Sequence, residues 1–556
     1  MSDPVASTNS AAGKPPGHDI FCTPENSDFV SKVPYHSLSK TDHEIRLLKI
    51  LPDSGSGFVE CELLPAVSLA TVHNQYLALS YYAGSAKNTK PIKVNGVKSN
   101  VFANLHHALT IARHYWETHA ELPEFLLWAD QICINQFDLA ERSHQVGFMR
   151  DIYHNAKTTL ICLSTSERNG DGMRWFAELK DIVAQGTIID CLITNSYTGF
   201  AKGMTGFFDI ATSPWWGRAW VFQEFMVSRH ATFLYGRYVM PHDDLSELAS
   251  AICSIIESTS VARLVKNRLP PLKESRYVGH QMLKSAENIG RMLTVRREEH
   301  NTNDLKRLLI YTRHCNASDE RDRIYSVLGL ASPGYGIMPD YSPDNDIMKL
   351  LVETTRSIIV FEDSLSVLSN LEWFRESKNE SAQLPSWVID WRHVIFPILG
   401  PPNNHKPEMG YFTNHKMTAG SIDPSFAVVP HPGCPGTTTT TLQVWGILLD
   451  TGFQKVEWPE NKEWKGFQSI SCIYKGSQHY IIESFFPVRR EQELWILCGA
   501  RQPFLLSRCS YGYRIYIHVK LKNSIYEDGV MKFPRLMDHQ GTYDMNKMDW
   551  RRITIF

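Results

Sequence analysis

This chain carries almost no net charge: 57 Lys+Arg face 59 Asp+Glu, a formal balance of -2 over 556 residues. That near-neutrality argues against a general nucleic-acid binder, which needs a basic surface to meet the phosphates, and leaves only local patches. No apolar run approaches the ~20 residues a helix needs to cross a bilayer. The opening MSDPVASTNSAAGKPPGHD lacks the apolar core of a signal peptide, so residues 1–30 are expected to be a disordered tail. Eleven cysteines are scattered without a CxxC pair, and Cys133, Cys162 and Cys498 fall inside apolar runs. Reduced, buried thiols in a cytoplasmic protein are the expectation. The 22 histidines show no HExxH or other ligand spacing, and His106-His107 reads as a surface pair; no metal or cofactor is expected. A GxxxxGK[ST] phosphate loop and a GxSxG elbow are also missing.

What is present is the composition of a globular protein, 43% apolar and 21% charged, in a chain too long for one core. The densest information lies in WADQICINQFDLAERSHQVGFMRDI, Trp128 to Ile152. Phe125 to Trp128 form a short apolar run, as a strand buried on both faces would. Asp130 follows at the carboxyl edge of that strand. Asp138 stands three residues before Glu141, the spacing of a capping box. Leu139, Val146, Met149, Tyr153 and Ala156 then recur on one face of a helix. TTLICLS, from Thr158 to Ser164, reads as the next strand and completes a βαβ unit.

Around this unit, Tyr76 to Tyr81 reads as a strand, and Asn104 as the N-cap of a helix carrying Leu105, Ala108, Leu109, Ala112 and Tyr115. Glu167 to Thr212 is expected to be an elaborated loop serving as a lid. Ser213-Pro214 begins a helix from Trp215 to Val227, and ATFLYG is a further strand. Right-handed crossovers would make this a parallel, doubly wound sheet with helices on both faces. The expected organisation is an α/β domain over 31–257, a linker over 258–300, a helical region over 301–380 and a β-rich C-terminal domain over 381–556. In the last, Ile515, Ile517, Val519 and Leu521 alternate with polar residues, and a small antiparallel sheet or barrel fits.

The same blocks carry a family resemblance. WADQICINQFDLAERSHQVGFMRDIYHNA resembles the signature of the fungal heterokaryon-incompatibility (HET) domain, close to "lWIDaiCINQ.d..Er..QV..M..IY..A". YLALSYYAG resembles the family's opening "YxALSYvWG", and PWWGRAWVFQEF its closing "WfxRaWtlQEl". Three departures are visible: Ala83 stands where the family has Trp, Ala129 replaces Ile, and Cys162-Leu163-Ser164 replaces WLG. SDERDRIYSVLGLA, MPDYS and LPSWVIDW resemble segments that follow the domain in long members. More distantly, the order resembles the Toll/interleukin-1-receptor (TIR) fold, with Glu224 at that fold's helix glutamate.

In an open α/β sheet, ligands bind beyond the carboxyl ends of the parallel strands. Ser80, Tyr81, Asp130 and Ser164 are delivered to that edge, and the helix bearing Arg218, Trp220, Gln223 and Glu224 can reach the same rim. Trp220 and Glu224, four apart, share a helical face. An aromatic surface beside a carboxylate suits a flat heterocycle and an adjoining sugar. The TIR resemblance implies Glu224 as a catalytic carboxylate of an NAD glycohydrolase, with NAD as substrate and Ser80, Tyr81, Asp130, Arg218, Trp220 and Gln223 shaping the pocket. Structural roles stand beside these: Asp130 as a helix cap or as partner of Arg142 or Arg218, and Trp215, Trp216 and Trp220 as packing. The HET resemblance implies non-self recognition, with cell death on heterokaryon incompatibility, through an unidentified protein partner or self-association. A catalytically inactive interaction module is the remaining alternative, and the Ala83 departure favours it.

Overall fold

A computed structural model describes residues 24–33, 35–119, 123–165, 209–247, 289, 292–293, 296, 303–371, 384–392, 424–431, 437–456, 472–484, 486–500, 502–521, 525–527, 530–532 and 549–556. The chain divides into two units, 1–332 with 338–344, and 333–337 with 345–556. Among the described residues, no helix is long and apolar enough to cross a membrane.

Among the described residues, the first unit is built on a nine-stranded sheet. In chain order its elements are α1 (Pro24–Lys32), β1 (Leu48–Ile50), β2 (Glu60–Leu63), β3 (Leu77–Tyr81), β4 (Thr89–Val94), β5 (Val97–Phe102), α2 (Ala103–His119) and β6 (Phe125–Trp128). There follow α3 (Leu139–Gly147), α4 (Met149–Asn155), β7 (Thr158–Cys162), α5 (Ala219–Val227), β8 (Ala231–Tyr235), β9 (Tyr238–Pro241), α6 (Leu305–Tyr311) and α7 (Asp322–Leu328). The strands lie in the order β9-β8-β7-β3-β6-β1-β2-β4-β5. β8, β7, β3 and β6 are mutually parallel. β1 turns the sheet antiparallel against β6 and β2, and β9 and β5 are antiparallel to their neighbours. The sheet is therefore mixed, where a wholly parallel one was expected. The physical reason lies in the short segments before Tyr76 and after Gly84, which form hairpin-like pairs and extend one side without helical crossovers.

Burial follows the parallel core. β3 is buried at all five positions and β7 at four of five, the near-continuous apolar pattern of strands covered on both faces. Ser80 and Tyr81 are the last two residues of β3, and so lie within the strand. Asp138 caps α3 as its spacing predicted, accepting from Ala140 N (2.9 Å) and Glu141 N (3.0 Å). The expected single helix breaks at Gly147-Phe148 into α3 and α4. Ser213 accepts from Trp215 N (3.3 Å) and Pro214 opens a 3-10 turn, with α5 starting only at Ala219. α5 packs against α4 and α7.

Two further stretches differ from expectation. Pro24–Lys32, overlapping the stretch read as a tail, forms α1 with Phe29 buried. His107 is 8% exposed, not on the surface, because its Nε2 reaches Ser164 Oγ at 2.9 Å. The proposed lid lies outside the described residues except for 209–212, and of the expected linker only Ile289, Met292, Leu293 and Arg296 are described, all buried.

The second unit contains the helix Ile347–Glu362, capped by Asp346. Its six-stranded sheet runs Ser425–Pro430, Thr438–Asp450, Gln492–Leu497, Phe504–Cys509, Gly512–His518, Arg551–Ile555, and the long Thr438–Asp450 strand also pairs with the last, closing a barrel. Ile515, Ile517, Val519 and Leu521 are buried, as their alternation predicted.

Candidate functional site

The carboxyl ends of β3 and β6 and the start of α5 meet in one buried polar network. Ser80, on β3, donates from its hydroxyl to the Glu224 carboxylate on α5. Trp215 Nε1 donates to the same Ser80 Oγ at 2.7 Å, so the hydroxyl is committed on both sides. Tyr81, next along the strand, points to the opposite face and donates to Asp130 Oδ1 at 3.0 Å. Arg218, just before α5, donates to the Tyr81 carbonyl and lies 5.9 Å over its ring. Tyr153 of α4 donates to Leu79 O at 3.1 Å, and its hydroxyl also lies within reach of Glu224.

Burial sets the electrostatics. Glu224 is 2% exposed, and loss of hydration pushes its carboxyl up to about 7, against the pull of Arg218 and the Ser80 hydrogen bond. Burial also raises Tyr81 well above its ordinary value, with the Asp130 charge adding to it. For Arg218 burial works against the charge, but Glu224 and Asp130 outweigh it and hold the guanidinium above its usual value. A carboxyl balanced near neutrality beside a fixed cation can hold or release a proton at ordinary pH.

Asp130 sits on a single helical turn, Asp130–Cys133, that is held from several sides. Its Oδ1 accepts from its neighbour Gln131 N (2.7 Å), and Gln136 Nε2 donates to its carbonyl (2.9 Å). Tyr35 donates to Ile132 O (2.8 Å) and Arg46 to Cys133 O (3.1 Å). Arg46 also forms a two-pronged, buried ion pair with Glu141, at 2.7 and 2.9 Å. Glu141 accepts from Asn135 N at 2.7 Å. The capping-box spacing is present, but the carboxylate of Glu141 serves the turn and Arg46.

Five of the sequence-predicted residues thus come together: Ser80, Tyr81, Asp130, Arg218 and Glu224. The other two look elsewhere. Trp220 lies within reach of Asp322, and Gln223 accepts from Gly329 N at 3.0 Å, both at α7. Of the two candidate partners for Asp130, Arg218 is the one whose charge it meets. Arg142 stacks 3.9 Å over Tyr341, whose hydroxyl donates to Asp322 at 2.5 Å. Tyr153 and Trp215 belong to the network although their spacing reads only as core. Arg46 had no sequence signal, since its partner lies 95 residues away.

Residues 76–224 match the family model described as Heterokaryon incompatibility protein (HET). The match starts at the residue before β3 and ends on Glu224, so it brackets the network. Residues 76–224 thus make a HET domain. The chain is similar to "Heterokaryon incompatibility protein 6, OR allele" of Neurospora crassa, 27% identical over 372 residues, covering 58% of this chain and 54% of that protein. The chain thus spans about half the length of that curated relative. No solved structure matches it.

Proposed function

We propose that this protein acts in fungal heterokaryon incompatibility, as the component that relays recognition of a non-self protein partner into cell death. The observation that carries this reading is the convergence of the three HET blocks on one network: Tyr76–Gly84 supplies Ser80 and Tyr81, Trp128–Ile152 supplies Asp130, and Pro214–Phe225 supplies Trp215, Arg218 and Glu224. Groups this buried, coupled through charge across three segments, form a unit that switches as a whole when one member changes. The α/β unit is then the effector, and the remainder meets the partner.

The test is induced expression of the full chain in hyphae of a filamentous fungus, with viability staining. Wild type is expected to kill, and Glu224→Gln and Asp130→Asn to reduce death at least tenfold at equal protein level. Viable hyphae with wild type, or undiminished killing by both variants, would contradict the reading.

A second reading is a TIR-like NAD glycohydrolase. It is favoured by the strand order β6-β3-β7-β8, whose reversal lies between β3 and β7, so that Tyr81 at the end of β3 stands beside the usual ligand crevice of such folds, with Asp130 hydrogen-bonded to it. In it, Glu224 stabilises the positive charge developing on the ribose carbon while nicotinamide leaves and water adds. A carboxylate only 2% exposed would first have to be uncovered. Release of nicotinamide from NAD by purified protein, lost in Glu224→Gln, would support it. Killing without that release leaves an interaction module.

A further inference from the structure

Among the described residues, the outer edge of β5 is closed by side chains and not by another strand. β4 and β5 form a hairpin around Asn95 and Gly96, both with positive φ. The alternation of that ladder turns the peptide groups of Lys98, Asn100 and Phe102 away from β4. Asn26 of α1 meets the middle one with both halves of its amide. Asn100 N donates to Asn26 Oδ1 at 2.6 Å, and Asn26 Nδ2 donates to Asn100 O at 3.1 Å. Phe102 N donates to Gln131 Oε1 at 3.3 Å. A primary amide carries the same donor and acceptor as a peptide unit, so two side chains stand in for a tenth strand.

The substitution is imperfect. Gln131 is 6% exposed, yet its Nε2 has no acceptor among the described residues. A cavity of about 20 Å³, room for roughly one water, lies among Asn26, Phe29, Tyr35, Ser99, Gln131 and Ile132. α1 has nine residues, too few to hold a helix without its docking contacts. Phe137, which also lines the cavity, is 52% exposed.

We propose that α1 is a displaceable cover and that the β5 edge beneath it pairs antiparallel with β5 of a second copy of this chain. The outward sites at 98, 100 and 102 dictate the register. Centred on Asn100, the pairing sets Asn100 against its own counterpart and Lys98 against Phe102 of the second copy, with no like charges opposed. Centring on Lys98 would face two lysines, and centring on Phe102 would leave fewer paired sites. Such a two-fold pairing uses the same patch on both copies and closes as a dimer. Because Gln131 adjoins Asp130, exchanging its bond to Phe102 also reaches the turn that carries Asp130.

The test is sedimentation of full-length protein carrying Asn26→Ala and Phe29→Ala, with thermal melts to confirm folding. The dimer is expected to tighten at least tenfold relative to wild type. Adding Asn100→Pro, which removes an outward N–H that β4 does not use, is expected to return it to monomer. If the double variant does not fold, Asn26→Asp alone sets a carboxylate against Asn100 O, keeps the apolar contacts of α1, and is expected to shift association in the same direction. A folded variant that associates no more than wild type, or a dimer that survives Asn100→Pro, would overturn the proposal.

Discussion

Glu224 is the residue on which the chemistry turns, because its environment opposes its charge. Its folded value of about 7 lies above the ordinary 4.5. Below about pH 4.5 the carboxyl is protonated in both folded and unfolded chains and contributes nothing. As pH rises from there, the unfolded chain releases the proton first, so stability falls until the folded group ionises near 7. The loss is on the order of 3 kcal/mol. Denaturant midpoints measured at pH 5 and pH 8 should therefore differ less in Glu224→Gln than in wild type; an identical pH dependence would contradict the burial argument. Tyr81→Phe should cost about 1–3 kcal/mol, because Asp130 loses a buried donor while Gln131 N remains, as chemical unfolding would record. At this scale much was legible in the sequence: five of the seven named side chains converge. Trp220 and Gln223 escaped because helical spacing tells which residues share a face but not which neighbour that face meets, and α7 arrives from a hundred residues further along.

Among the elements, the turn Asp130–Cys133 shows how local signals and distant contacts combine. Asp138 as an N-cap was readable from three-residue spacing, because capping is a contact within one helical turn. Glu141 was misread as the other half of a capping box, since nothing local reveals Arg46. The buried Arg46–Glu141 pair makes a sharp prediction. Arg46→Met strands a carboxylate that is under 10% exposed and should cost about 3–5 kcal/mol, whereas Arg46→Met with Glu141→Leu should recover most of the loss. Equal losses in the single and the double variant, by denaturant unfolding, would show that Arg46 acts through its carbonyl bonds alone. The sheet itself was only partly readable. Apolar runs marked β3, β6 and β7 as buried parallel strands, but the antiparallel side is made of two local hairpins, β1–β2 and β4–β5, whose joining to each other and to β6 depends on neighbours far away in sequence.

For the molecule as a whole, the matched segment 76–224 is not a self-sufficient body. Asn316 N donates to Gly217 O (2.6 Å) and Asn316 O accepts from Ala219 N (3.0 Å), placing a bridge at the very start of α5. Gly329 and Asp322 take up Gln223 and Trp220 on its outer face, and Arg46 comes from upstream. A fragment ending at residue 257 should leave that face of α5 uncovered and aggregate, while one ending at 344 should keep a cooperative melt; equally cooperative melting of both would remove residues 303–344 from the unit. The family likeness was legible because the HET blocks supply the network's own side chains, whose types and spacing the geometry constrains tightly. The supporting segments are constrained only by packing, which many sequences satisfy.

The convergence of the three blocks is tested most directly by a double-mutant cycle between Ser80→Ala and Glu224→Gln, read by chemical unfolding at pH 8. A direct, buried hydrogen bond predicts a coupling of roughly 1–3 kcal/mol between the two sites. Additive effects, with no coupling beyond error, would mean that Ser80 and Glu224 do not meet and that the blocks do not close on a common centre.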